Sequence, residues 1–144
     1  MNKTIKDSFN RSIQLYHDLI KSVDSTALNS KLPKVRSNTV GLQLWCVVGA
    51  RESFYRAIKA NQWSGFSCSL ESTTDNTMVE EALLRSGEAV IEVLRSIDTY
   101  SDVQNRLIID VLEHEAAHQG QWIRDIYALD LTIPDSWKAR FALQ

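Results

Sequence analysis

Glycine and proline are scarce in this chain, which has five glycines and two prolines among 144 residues. Long apolar runs are also missing: the longest, such as WCVVGA, are far too short for a membrane span. The segment MNKTIKDSFNRS is charged and has no apolar stretch behind it, so it does not predict a signal peptide. With so few interruptions, the chain consists mainly of long segments whose apolar residues follow helical periodicity.

Charge and cysteine content point to an ordinary soluble domain. The net charge of −2 gives no basic face for nucleic acid. Two cysteines, Cys46 and Cys68, are too few for a disulfide framework in a chain of this length, which predicts a cytoplasmic protein with both thiols reduced. The length is near the commonest size for one domain. We therefore expect a single domain over residues 1–144 that binds neither nucleic acid nor a membrane.

Apolar side chains recur at intervals of three and four residues in four segments, a spacing typical of amphipathic helices. The second segment begins near residues 38–39, after the polar loop DSTALNSKLPKVRSN. The third is predicted to begin at Thr77 with Glu80 as its capping-box partner, and the fourth at Ser101 with Gln104. The inward positions are Ile5, Phe9, Ile13, Tyr16, Ile20 and Val23; Leu42, Cys46, Gly49, Ser53 and Ala57; Met78, Ala82, Ala89, Val93 and Ile97; and Leu107, Val111, His114 and His118.

These four segments predict an all-α protein, a four-helix bundle with a long connection between its second and third helices. That connection, NQWSGFSCSLESTTDN, is the longest irregular stretch, and long loops in compact domains are often functional. Pro134 ends the regular pattern, and the tail DSWKARFAL is expected to place Trp137 and Phe141 on the bundle.

Two of the three histidines lie one helical turn apart, in EHEAAHQGQW. His114 and His118 continue the apolar positions of the fourth helix, so both imidazoles are predicted to face the bundle interior. One buried imidazole is commonly a hydrogen-bonded core residue, but two of them each need a partner once they leave water. A divalent metal ion would serve both, and bundle interiors are known locations for such sites. The spacing indicates a metal site, with paired core histidines as the alternative.

The same stretch spells HExxH, the signature of zinc proteases. Those enzymes take a third ligand beyond this helix, often Glu or His, and the chain has neither after His118. Gln121 and Arg124 occupy the glycine and histidine positions of the extended HExxHxxGxxH pattern. We therefore interpret the match as accidental and expect Glu115 at the surface.

A family resemblance comes from two segments. HEAAHQGQWIRDIYAL resembles the last helix of the DinB/YfiT-like superfamily of metalloenzymes, whose hallmark there is HxxxHxGQ followed by an arginine-containing turn. PKVRSNTVGLQLWCVVGARESFYRAI is similar to that family's second helix. The helix order, the long connection and the length also agree, so the resemblance spans nearly the whole chain. It implies the DinB/YfiT-like bundle and a metal-dependent activity.

The resemblance also implies a ligand set. In that family zinc or nickel is held by one histidine of the second helix and the HxxxH pair of the last. His114 and His118 match the pair, and the remaining position falls seven residues after Thr39, on Cys46. Cysteine thus replaces the family's histidine. Cys46 is either a thiolate ligand, which we favour, or a small buried hydrophobe beside a weak or absent metal site.

The function that the resemblance implies is a divalent-metal-dependent enzyme acting on a small molecule. Relatives include transferases and isomerases that use a low-molecular-weight thiol, and many are homodimers, so we expect a homodimeric thiol-dependent transferase or a hydrolase. No residue is an obvious nucleophile or general base, so its catalytic residues stay unassigned. The alternative is a non-catalytic metal-binding or metal-free bundle, acting as a dimeric binding or stress-response protein.

Polar side chains near these positions are expected to have lesser roles. Arg51 and Glu52 are predicted on a solvated face, and Gln43 at the rim of the site. His17 is predicted at the boundary of the first helix, and Cys68 as an incidental thiol in the long connection.

Overall fold

Helices form all the regular structure of residues 2–144, the part of the chain that this computed structural model describes. No strand occurs within them, which confirms the predicted all-α class. None of their helices combines the length and the apolarity that a membrane span requires. The elements are α1 (Asn2–Ser22), α2 (Ser25–Leu28), α3 (Val40–Ala60), α4 (Asn76–Arg95), α5 (Asp102–Ala128) and α6 (Asp135–Phe141).

The long helices pack side by side as a helical bundle, in which α4 contacts α1 and α3, and α3 also contacts α5. Their buried apolar side chains form two clusters, one around Trp122 and Trp137 and the other around Phe9 and Ile108. Between these clusters every long helix contributes a buried polar side chain. The residues of this polar layer are Ser12, Arg51, Ser86 and Glu115.

The helix starts follow local capping chemistry. Thr39 caps α3 by accepting a hydrogen bond from the Leu42 amide at 3.1 Å, and Ser101 with Gln104 forms the predicted capping box of α5. The predicted start at Thr77 is wrong. Asp75 caps α4 instead, because its carboxylate lies two residues earlier and accepts from the Met78 amide, where the helix dipole favours a negative charge.

The two short helices close one end of the bundle. The α6 helix contains Trp137, which is fully buried and donates from its indole nitrogen to the Leu15 carbonyl at 2.8 Å. Phe141 packs on the same indole, with the ring centroids 5.4 Å apart, as expected for the tail. The α2 helix lies inside the predicted polar loop, and its four residues are too few to show a periodic pattern.

The long connection between α3 and α4 folds back along α3. The Ser67 amide donates to the Ser53 hydroxyl at 3.0 Å, and the Ser69 amide donates to the Glu52 carboxylate at 2.8 Å. The Phe66 ring lies directly over Gly49, where an added Cβ would come within 2.3 Å of the ring. The connection therefore covers the turn of α3 that follows Cys46.

Candidate metal centre

The structure brings the three predicted ligands together. Cys46 comes from α3, and His114 and His118 come from successive turns of α5. One potential ligand atom from each residue lies within 4.8 Å of the other two. The Cys46 Sγ atom is 3.5 Å from the His114 Nε2 atom, and the two imidazole centroids are 4.5 Å apart.

These separations fit a divalent ion. Zinc–sulfur and zinc–nitrogen bonds of about 2.3 and 2.0–2.1 Å at a tetrahedral angle place sulfur and nitrogen roughly 3.6 Å apart. The observed separation agrees with that value. The Nδ1 atoms of both histidines are buried and have no hydrogen-bond partner among residues 2–144, so no protein group competes for these two nitrogens. No fourth His, Cys, Asp or Glu of that range joins the cluster.

The electrostatics of the site favour neutral donors. Burial lowers the pKa of His114, and burial together with the neighbouring His114 lowers the pKa of His118 to about 4. Burial also raises the pKa of the Cys46 thiol. Near neutral pH both imidazoles therefore carry a free lone pair, and the sulfur keeps its proton until a cation displaces it.

The predicted inner face of α3 is only partly correct. Gly49, Ser53 and Ala57 are buried, but Leu42 is 38% exposed and Cys46 is half-buried. The side chains that α3 directs into the core are Leu44, Val47, Val48 and Arg51. The predicted stripe is rotated away from this face, towards the long connection, so Cys46 and His114 lie half-buried at the edge of the core, whereas His118 is buried.

Two charged residues that were predicted at the surface are buried. Glu115 and Arg51 are each 1% exposed, and the Glu115 carboxylate accepts from Arg51 Nε at 2.6 Å and from Nη2 at 2.8 Å. Both predictions were wrong because each charge is compensated by the other, 64 residues away in the chain. Burial opposes ionisation, but the facing guanidinium and the hydrogen bonds from Arg51 and Ser12 hold the pKa of Glu115 below its ordinary value. With both oxygens engaged, Glu115 is not available as the general base of a zinc protease.

Gln43 was predicted at the rim, and it is also buried. Its amide donates to the carboxylate of Asp125, which is 1% exposed and whose pKa burial raises. Asp125 was missed from the sequence, although it follows His118 by seven residues and so lies on the same side of α5. The pair joins α3 to α5 about one turn before Cys46 and about two turns after His118.

The remaining candidates lie outside the cluster. His17 is half-buried on α1, with Nδ1 4.0 Å from the Glu80 carboxylate. Cys68 donates to the Trp45 carbonyl at 3.4 Å from its place in the long connection.

Comparison of the chain with protein-family models, with curated proteins and with solved structures gives no match. The resemblance to the DinB/YfiT-like superfamily therefore stays a prediction, and the interpretation of the site depends on its own geometry.

Proposed function

We propose that this chain is a divalent-metal-dependent enzyme, a four-helix bundle of the DinB/YfiT-like superfamily in which Cys46, His114 and His118 hold one zinc or nickel ion. The observation that carries the proposal is the convergence of three donor atoms within 4.8 Å from two helices. A structural zinc site is usually closed by a fourth protein ligand, whereas a catalytic one keeps a position for water or substrate. A three-ligand cluster at the edge of the core supports the catalytic case.

The chemistry of the site follows from its donor set. When bound, a divalent ion supplies Lewis acidity, which activates a water or a thiol and polarises a carbonyl. The two imidazoles would hold that ion as neutral donors, and the Cys46 thiolate would offset one of its two positive charges. Because Arg51 and Ser12 engage both oxygens of Glu115, this carboxylate is not free to take a proton.

The reaction class that fits these features is thiol-dependent group transfer, or hydrolysis, on a small molecule. A low-molecular-weight thiol as co-substrate would supply the nucleophile that the cluster lacks, and its proton would pass to solvent on the half-buried side, at Cys46 and His114. The family resemblance further implies a homodimer in the cytoplasm.

Metal content tests the proposal directly. Protein purified without chelator and exposed to zinc or nickel should carry close to one ion per chain by elemental analysis. His114→Ala and His118→Ala should each lose it. His17→Gln is the matched control, since it removes the third histidine without touching the cluster. Absence of uptake by the wild type, or equal uptake by all four proteins, would reject the site.

Turnover then separates the enzyme from the non-catalytic alternative. The metal-loaded wild type should accelerate the reaction of a low-molecular-weight thiol with a small electrophile, or the hydrolysis of an activated ester or amide, and chelation should remove that acceleration. Stoichiometric metal without any acceleration would favour a metal-binding bundle.

A further inference from the structure

A buried hydrogen-bond network connects all four long helices beside the cluster. Arg51 of α3 makes two parallel hydrogen bonds to Glu115 of α5 and donates from Nη1 to the Leu83 carbonyl of α4 at 3.0 Å. Ser12 of α1 donates to the same carboxylate and accepts from Gln119 of α5 at 2.7 Å. The network therefore fixes where α3 and α5 lie relative to each other and to the rest of the bundle.

The position of this network in the two helices relates it to the cluster. Glu115 directly follows His114 in α5, and Arg51 follows Cys46 by five residues in α3. Both helices are continuous over these stretches, so a shift or rotation at the ion pair is transmitted to the sulfur–imidazole separation. Two parallel N–H···O bonds fix orientation as well as distance, which a single contact does not.

Stability alone does not account for a charged pair at this place. The pair lies between two apolar clusters that apolar side chains could join, and replacing a buried ion pair by apolar residues is often neutral or stabilising. Beside the pair α4 packs closely on α1, since a Cβ at Gly87 would lie 2.8 Å from the Ile13 side chain.

We propose that Arg51 and Glu115 are positioning residues, whose bidentate ion pair holds α3 and α5 in the register that places His114 opposite Cys46. The metal-binding consequence rests on the proposed function, whereas the register itself exists without an ion. The proposal assigns a role to the glutamate of the HExxH sequence that differs from acid–base chemistry: it aligns the histidine next to it.

The test replaces the pair by apolar side chains of similar size, in Arg51→Met/Glu115→Leu. Circular dichroism and thermal unfolding of the metal-free protein report the fold, and cobalt titration reports the ligand geometry. We expect wild-type helicity and an unfolding midpoint no lower than that of the wild type, but cobalt affinity reduced about tenfold, because the helices no longer hold the ligand atoms at bonding separation. Unchanged affinity and an unchanged cobalt spectrum would overturn the proposal.

Two further variants cover the other outcomes. If the double variant does not fold, Arg51→Lys takes its place as the test. Lysine keeps the charge but cannot make the two parallel hydrogen bonds, so this variant should still weaken cobalt binding. Arg56→Met, which removes an arginine of α3 that contacts Ser67 in the long connection, is the matched control and should bind cobalt as the wild type does. An Arg51→Lys protein with wild-type affinity and spectrum would contradict the positioning role.

A metal-free measurement separates this proposal from the proposed function. The ¹⁵N signals of the His114 ring, assigned by their loss in His114→Ala, report its contact with the Cys46 sulfur without any ion. They should shift in Arg51→Met/Glu115→Leu, or in Arg51→Lys if the double variant does not fold, and stay in place in Arg56→Met. If the wild type binds no cobalt but the signals do shift in the variant, the metal enzyme is rejected and the positioning role is kept. Signals unchanged in the variant measured would reject the positioning role.

Discussion

At the scale of single residues, the Cys46 sulfur sets the pH dependence of the site. Burial raises the pKa of this thiol, so near neutral pH a binding cation must displace its proton. Between the pKa values of the imidazoles and that of the thiol, the apparent metal affinity should therefore rise about tenfold per pH unit, with one proton released per ion. Calorimetric titration in two buffers of different ionisation enthalpy counts that proton. A pH-independent affinity in the wild type would contradict a thiolate ligand.

Among the single residues of the site, the sequence predicted the placement of the two histidines but not that of the buried ion pair. The spacing of His114 and His118, and their place in an apolar stripe, were sufficient to predict that both face inward and lie together. Glu115 and Arg51 could not be placed in this way. Their burial depends on a partner 64 residues away, and a charge without a visible partner is most often solvated.

At the scale of elements, two glycines should respond in opposite ways to alanine. In Gly49→Ala the new Cβ would lie 2.8 Å from the Cys68 Cβ as well as 2.3 Å from the Phe66 ring. The ring can turn, but the Cys68 Cβ is fixed by the backbone, so we expect a loss of about 1–3 kcal/mol in the free energy of unfolding. Denaturant unfolding monitored by circular dichroism measures it.

Gly120→Ala is the matched control within α5. Nothing lies within 4 Å of its added Cβ, so this variant should gain roughly 0.5–1 kcal/mol from the higher helix propensity of alanine. A Gly49→Ala protein as stable as Gly120→Ala would show that the long connection does not pack on α3 as described.

At this scale the sequence predicted which segments are helical, but it predicted only in part which side of each helix faces the core. Four long periodic segments predicted α1, α3, α4 and α5, because periodicity accumulates over five or more turns. The core-facing side of α3 was misplaced, since the long connection covers Gly49 and Ser53. Small residues of this kind can pack against a loop as well as against a helix, so their spacing does not show which side of the helix faces the core.

At the scale of the whole molecule, metal binding should stabilise the fold. The ligands come from α3 and α5, so an ion that binds only the folded chain raises the free energy of unfolding, by about 2.7 kcal/mol when free metal is one hundred times the dissociation constant. The unfolding temperature should rise with zinc in the wild type and in His17→Gln. It should not rise in His118→Ala, and an equal rise in that variant would place the stabilising ion elsewhere.

Cobalt titration of metal-free wild type and Cys46→Ser tests the central claim most directly, because cobalt reports both stoichiometry and ligand type. With Cys46, His114 and His118 as ligands, the wild type should bind one ion per chain and show an intense sulfur-to-cobalt charge-transfer band in the near ultraviolet. Cys46→Ser should lack that band and bind more weakly. A wild type that takes up no cobalt, or a Cys46→Ser protein with the same affinity and the same spectrum, would contradict the site.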